Sequence, residues 1–304
     1  MLPPDNFDPE IGLAETLEPG LRRIVAPNPS PMTYRGTNTY LLGQSEVAVI
    51  DPGPDSPAHL KAILAALQPG QRISHIIVTH THLDHSPLAR PLAARTGAEV
   101  WAFGNATAGR SPVMQGLAEA GLMGGGEGVD HGFRPDHSLA DGDMLEGNGW
   151  ALEVLHTPGH IGNHLCLAWG DACLTADHIM GWATSLVSPP DGDLTDFMTS
   201  CEKLGARNWR VFYPGHGAPV SDPNARLDWL VAHRRAREAS ILKALNAGPA
   251  TAEDLARVIY TETPAALLGA ATRNVLAHLV DLTGRGRVAP QGVLQAEAHF
   301  VLTS

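Results

Sequence analysis

The sequence predicts an α/β protein of layered, mixed sheets followed by a smaller, mainly helical unit. Three observations carry this reading. Strand-like and helix-like periods alternate through the first hundred residues, and paired short apolar runs joined by turns dominate 150–213. Beyond Asp222 helical spacing takes over. With 43% hydrophobic and only 17% charged residues over 304 positions, the composition excludes a disordered tail, a coiled coil and a disulfide miniprotein. That length suits one large domain and a smaller one, placed here at 1–221 and 222–304.

The elements follow in order. Thr39-Tyr40-Leu41-Leu42 and Val47-Ala48-Val49-Ile50, joined through Gly43-Gln44, read as a hairpin. Ser56-Pro57 then opens a helix with Leu60, Ile63, Leu64 and Leu67 on one face, and Pro69-Gly70 closes it. Ile73 to Thr79 is a β-branched run that ends directly in histidines. Further strands are predicted at 99–103, 150–156, 165–169, 173–175 and 211–213, with Gly170-Asp171 as a hairpin turn and helices at about 87–96 and 196–204. Residues 104–142 read as a long glycine-rich insertion with one short helix near 111–120. Asp222-Pro223 starts a helix to about Asn246, Thr251-Ala252-Glu253-Asp254 resembles a capping box for a second to Tyr260, and Pro264 starts a third to about Leu282. With a turn at Gly284-Arg285-Gly286-Arg287 and a last strand at 299–302, this unit looks like a winged helix.

No run approaches the ~20 apolar residues of a membrane span, and the N-terminus lacks a signal-peptide pattern, so no membrane is expected and the cytoplasm is the default location. Three cysteines without a C-x-x-C pair indicate neither a disulfide framework nor a thiolate metal site. A net charge of −11 argues against broad, non-specific nucleic-acid binding. Residues 222–304 carry +1 and the rest −12, so the Arg234-Arg235-Ala236-Arg237 run either grips a phosphate backbone or solvates a helix face.

The chemistry lies in the histidines, fifteen in all. His80-Thr81-His82-Leu83-Asp84-His85 places three imidazoles and a carboxylate just after a strand. Alternation along an extended chain sends His80, His82 and Asp84 to one side, and a turn brings His85 round. More candidates sit just beyond other strands: His160 in Thr157-Pro158-Gly159-His160, Asp177 in Thr175-Ala176-Asp177-His178, and His216 in Pro214-Gly215-His216-Gly217. Ligands carried on the same ends of several strands converge on one site. Asp51, ending its strand before Pro52-Gly53, reads equally as an acceptor behind a ligand histidine or as a turn opener. His178 and His164 could support ligands from behind, although strand alternation points His178 away.

These motifs, in this order, resemble the metallo-β-lactamase superfamily over the first 220 residues. The resemblance implies an αββα sandwich and a binuclear centre. His80, His82 and His160 would hold one metal, Asp84, His85 and His216 the other, and Asp177 would bridge, with a water or hydroxide between the metals as nucleophile. Asp84 and Asp177 are the catalytic carboxylates on this reading. Zinc is favoured for such a His/Asp set, and manganese or iron is compatible. Asn28-Pro29-Ser30-Pro31-Met32-Thr33, Gly36-Thr37-Asn38-Thr39-Tyr40, His233 to Glu238 and Val258 to Pro264 are further similar to the β-lactamase-like protein 2 group. That group carries a winged-helix-like C-terminal domain, and its best-known member is an endoribonuclease on single-stranded RNA. The leading expectation is therefore a binuclear hydrolase with a single-stranded RNA phosphodiester as its most specific candidate substrate. A thioesterase like glyoxalase II or another ester hydrolase is the alternative, a winged-helix binding module the non-enzyme one, and a homodimer remains open. Asp177 stands where the antibiotic-hydrolysing zinc enzymes usually have a thiol, which disfavours that activity.

Overall fold

In the computed structural model, which describes residues 7–126 and 128–303, two mixed sheets lie face to face. The first runs in chain order through β1 (Ala14–Glu18), β2 (Leu21–Val25), β3 (Asn38–Leu42) and β4 (Glu46–Ile50), all antiparallel neighbours. After α1 (Pro57–Ala65) it continues in parallel with β5 (Arg72–Ile77). Beyond α2 (Ala89–Thr96) comes β6 (Glu99–Ala102), and beyond α3 (Pro112–Glu119) the short β7 (His137–Ser138), both parallel additions. The second sheet holds β8 (Met144–Gly147), β9 (Trp150–His156), β10 (Leu165–Trp169) and β11 (Ala172–Ala176) as an antiparallel meander. Past α4 (Leu194–Gly205), β12 (Val211–Pro214) joins β11 in parallel.

Side-chain alternation explains the layering. In β4, Ala48 and Ile50 face the opposite sheet, while Val47 and Val49 face α1 and α2. In β10, Leu165 and Leu167 face the first sheet, while Cys166 and Ala168 face Phe197 and Leu204 of α4. Strands buried on both faces read as continuous apolar runs, which is why the sequence reveals them. The result is helices, sheet, sheet, helices, the expected αββα sandwich.

The C-terminal unit comprises α5 (Pro223–Leu245), α6 (Ala252–Ile259), a 3₁₀ turn at Ala265–Leu267, α7 (Leu268–Gly284) and a ribbon of β13 (Val288–Pro290) with β14 (Phe300–Leu302). Thr251 and Asp254 form the expected capping box on α6. Leu255, Val275, Leu279 and Phe300 fill its core, joined by Met114 and Leu117 of α3. The winged-helix expectation thus holds. No helix among the described residues is long and apolar enough to cross a membrane, and Cys166, Cys173 and Cys201 are free and buried.

Two findings depart from the sequence reading. Strands β1 and β2 were not expected, because Arg22-Arg23 looks like a solvated stretch. Both arginines are buried, Arg22 donating to Gln71 Oε1 at 2.9 Å and to the Ala66 carbonyl, Arg23 pairing with Glu15 over the Phe7 ring. The 104–142 insertion is also not a free loop. Leu83 N donates to Gly128 O and Asp130 N to Thr81 O, so the segment clamps the histidine loop.

The turn at 157–160 shows how closely that loop region is packed. Gly159 has φ +139°, and a Cβ there would lie 2.3 Å from the Cα of Phe197 in α4. Gly159→Ala is therefore expected to destabilise the metal-free chain by roughly 2–4 kcal/mol in denaturant unfolding. Wild-type stability in that variant would mean that the turn does not rest on α4.

Candidate metal centre

Every strand-end candidate converges at one edge of the sandwich. His80 Nε2 and His160 Nε2 lie 3.1 and 3.0 Å from His82 Nδ1. Nitrogens sharing one tetrahedral cation at 2.0–2.1 Å are separated by roughly 3.3 Å, so this trio has the spacing of a shared ion. Beside it, Asp84 Oδ2 is 3.3 Å from His85 Nε2 and 3.1 Å from His216 Nε2. Asp177 reaches both sets: its Oδ1 is 3.4 Å from His85 Nε2, and its Oδ2 is 3.3 Å from His216 Nε2 and 3.6 Å from His160 Nε2. All seven side chains are buried, and they form two groups able to hold cations, His80/His82/His160 and Asp84/His85/Asp177/His216.

The residues fit metal ions by a test independent of the motif. His85 Nε2 and Asp177 Oδ1 are buried and, although 3.4 Å apart, make no well-formed hydrogen bond, which leaves both free to face a shared cation. Gly215 keeps the space beside them open, since a Cβ there would lie 2.2 Å from Asp177 Oδ1 and 2.9 Å from His85 Cε1. The donor set of imidazoles and carboxylates, without thiolate, suits zinc, manganese or iron.

Five of the seven ligand candidates, His80, Asp84, His85, His160 and His216, are fixed from behind. Asp51 holds a left-handed backbone, φ +50°, at the end of β4; its carboxylate accepts from Thr79 N at 2.8 Å and Thr79 Oγ1 at 2.7 Å and lies 3.0 Å from His85 Nδ1. It acts as a clamp between strand end and histidine loop, and the turn-opener alternative does not describe it. Thr79 Oγ1 is 3.0 Å from His80 Nδ1, His160 Nδ1 donates to Leu186 O at 2.7 Å, and His216 Nδ1 is 3.2 Å from Gly36 O. Thr37 Oγ1 donates to Asp84 Oδ2 at 3.2 Å, and Asn38 Nδ2 donates to Pro214 O and Gly217 O, bracing the His216 turn. Thr37, Asn38, Thr79 and Ser185 were not singled out as site residues. Only Thr37 and Asn38 had a signal, inside the Gly36 to Tyr40 motif.

Asp84 groups with His85 and His216, as the resemblance implied: His85 N and Ser86 N both bond to His82 O, and this turn carries Asp84 and His85 to the second group. Two expectations are corrected. His178 does not back a ligand. Its Nε2 faces Cys201 Sγ at 3.6 Å and its ring packs on Phe197, pointing into the core beneath the second sheet as alternation demands. Arg234 neither solvates a surface nor faces solvent for a phosphate: it is 3% exposed, with its guanidinium over Phe197.

The two groups differ electrically in the metal-free chain. Burial keeps His80, His82 and His160 neutral, His82 down to about 3, with the neighbouring imidazoles reinforcing the effect at His80 and His82. In the second group burial also opposes charge, but ion pairing outweighs it. Asp84 and Asp177 are held ionised, His85 is raised well above its usual range, and His216 is raised to about 10. Protons on two imidazoles therefore stand in for cations beside the carboxylates.

Residues 32–238 match the Metallo-beta-lactamase superfamily, and 251–293 match the Beta-lactamase associated winged helix domain. The chain is similar to a Beta-lactamase-like protein 2 homolog of Drosophila melanogaster, 34% identical over 280 residues that cover 88% of each chain. It is similar to the atrochrysone carboxyl ACP thioesterase of Aspergillus fumigatus, 28% identical over 277 residues that cover 84% of this chain and 78% of the relative. Among solved structures, a metallo-beta-lactamase family protein from Thermus thermophilus superposes with a TM-score of 0.75 at 26% identity, covering 95% of this chain and 100% of the other.

The electrical difference predicts an order of metal release. His85 and His216, with raised values, take up protons as pH falls well before the neutral trio does, so acid competes first for the carboxylate group. Acid titration of the zinc-loaded chain, followed by elemental analysis after desalting, should show two ions per chain falling to one before the second is lost. Loss of both in one step, or a single ion at neutral pH, would contradict the two-group arrangement.

Proposed function

The chain belongs to the metallo-beta-lactamase superfamily, and from that premise we propose that this hydrolase is binuclear and cleaves carboxylic thioesters or esters with an apolar acyl group. In this reading His80, His82 and His160 hold one cation, zinc by preference, Asp84, His85 and His216 hold the second, and Asp177 is shared between them. Divalent ions held there supply Lewis acidity and lower the pKa of water toward neutrality. Asp84 and Asp177, both ionised on the floor of the cleft, would hold the cations and orient the attacking water.

The observation that carries the choice of substrate is the cleft above this floor. Its walls include Met32, Met180, Trp182 and Leu186 from the sandwich and Leu267 and Ala271 from the C-terminal unit. Neither lysine nor arginine is among its described lining residues. Apolar walls exclude water and gain from burying an acyl chain, whereas a polyanion needs cations along its track. The thioesterase named among the similar proteins points the same way. Single-stranded RNA is the second reading, supported by the winged helix and the β-lactamase-like protein 2 relatives. It is ranked lower because Arg234 lies inside and Arg237 rests on the Tyr260 ring. Free buried thiols suit a reducing compartment such as the cytoplasm.

The test is a panel at full zinc loading: acetyl and long-chain acyl thioesters, a lactone, a small phosphodiester, single-stranded RNA and a β-lactam. A kcat/KM at least about tenfold higher for the long acyl thioester than for the acetyl one is expected, since a few buried methylenes suffice for that factor. Faster turnover of RNA than of any acyl substrate would reverse the ranking. Asp177→Asn should cut kcat far more than it lowers the melting temperature.

A further inference from the structure

His160 is the one imidazole of the trio whose outer nitrogen is held by a segment that the C-terminal unit anchors. Its Nδ1 donates to Leu186 O at 2.7 Å and lies 3.2 Å from Ser185 Oγ, which in turn donates to the backbone carbonyl of Asp177. Residues 185–187 thus pass behind a cation-facing histidine and touch the shared carboxylate's backbone. Val187 is buried in the core beneath the second sheet, and the helices that follow the sandwich hold the segment from the other side. Arg234 of α5 donates one Nη to Ser185 O and the other to Asn274 Oδ1 at 2.9 Å, and Asn274 Oδ1, from α7, also accepts from Val187 N at 3.2 Å. The same guanidinium lies 5.0 Å from the centre of the Phe197 ring, and Phe197 is the residue against which Gly159 packs.

Arg234 is an expensive way to fill space. It is almost wholly buried, its Nε has no hydrogen-bond partner, and among the described residues no carboxylate pairs with it. Desolvating an unpaired cation is strongly unfavourable, and packing alone would be served as well by an apolar side chain. Its planar fork instead does what a lysine or a methionine cannot, spanning a carbonyl and an amide oxygen at fixed separation.

We propose that Arg234 and Asn274 are positioning residues for the imidazole trio: from the C-terminal unit they fix residues 185–187, and so hold His160 with its Nε2 toward the cation. The proposal rests on the reading of His160 as a ligand. It assigns α5 and α7, of which only α7 lies in the segment that matches the winged helix domain, a part in building the metal centre. Loss of a hydrogen bond behind a ligand typically weakens metal affinity 10–100-fold.

The test uses the full-length chain in a His216→Ala background, which leaves the imidazole trio as the intact group, with zinc alone as probe. Affinity is measured by competition with a chromophoric chelator, alongside the melting temperature of the metal-free chain. Arg234→Met and Asn274→Leu should each weaken zinc binding by about 10–100-fold. Arg237→Met, which removes a guanidinium resting on Tyr260, should leave it unchanged. If Arg234→Met fails to fold, Asn274→Leu decides the matter. Lower melting temperatures with unchanged zinc affinity would overturn the proposal while leaving the ligand reading intact. A parent trio that binds no zinc would overturn both.

Discussion

Two ionised carboxylates, Asp84 and Asp177, sit on a buried floor, and the surrounding architecture answers to that fact. Buried anions are tolerated only when opposite charge is close and fixed, so His85 and His216 must be held within ion-pair distance of both. A loop could not do this alone. The sandwich supplies four strand ends, β4, β5, β11 and β12, whose relative positions are set by ladders of backbone hydrogen bonds. Each end then carries one turn into the site. The strained backbones of Asp51 and Ala176, both at positive φ, lie at two of these exits, where the chain must turn sharply to present a carboxylate.

Because the anions are fixed, the choice of cation at the site reduces to competition between protons and metal. The imidazole trio, which burial biases toward the neutral form, is preset for a metal. The carboxylate group is neutralised by protons until a metal displaces them. Asp177 couples the two halves of the floor, since its Oδ2 lies near His216 of one group and His160 of the other.

Much of this was legible in the sequence because the ligand candidates are punctuated by strands. The cluster from His80 to His85 and the single residues His160, Asp177 and His216 stand directly after apolar runs, where chain direction limits where a side chain can go. What was not legible depends on partners far away in the chain. Asp51 before Pro-Gly looks like any turn residue until Thr79 and His85 are beside it. Arg22, Arg23 and Arg234 carry charges that read as solvent-facing, yet each is buried by hydrogen bonds to oxygens or stacking on a ring contributed from elsewhere. Local alternation was right for His178, which turns away from the floor, while the grouping of Asp84 with His85 and His216 depends on the turn after His82 and came from the resemblance.

The long helix α5 contributes to two cores. Leu227 and Leu230 pack with α4 beneath the second sheet, while Ile241 and Leu245 pack with α6, α7 and α3. A helix of 23 residues is roughly 34 Å long, enough to reach from one core into the other without a break. No hinge separates the parts, so the helix acts as a shared rafter. Cutting the chain before it would strip apolar cover from the sandwich, and cutting within it would leave each fragment with half a stripe exposed to water. Duplication or exchange of the winged-helix unit between proteins would have to carry the sandwich's covering surface with it, which ties the inheritance of the two parts together.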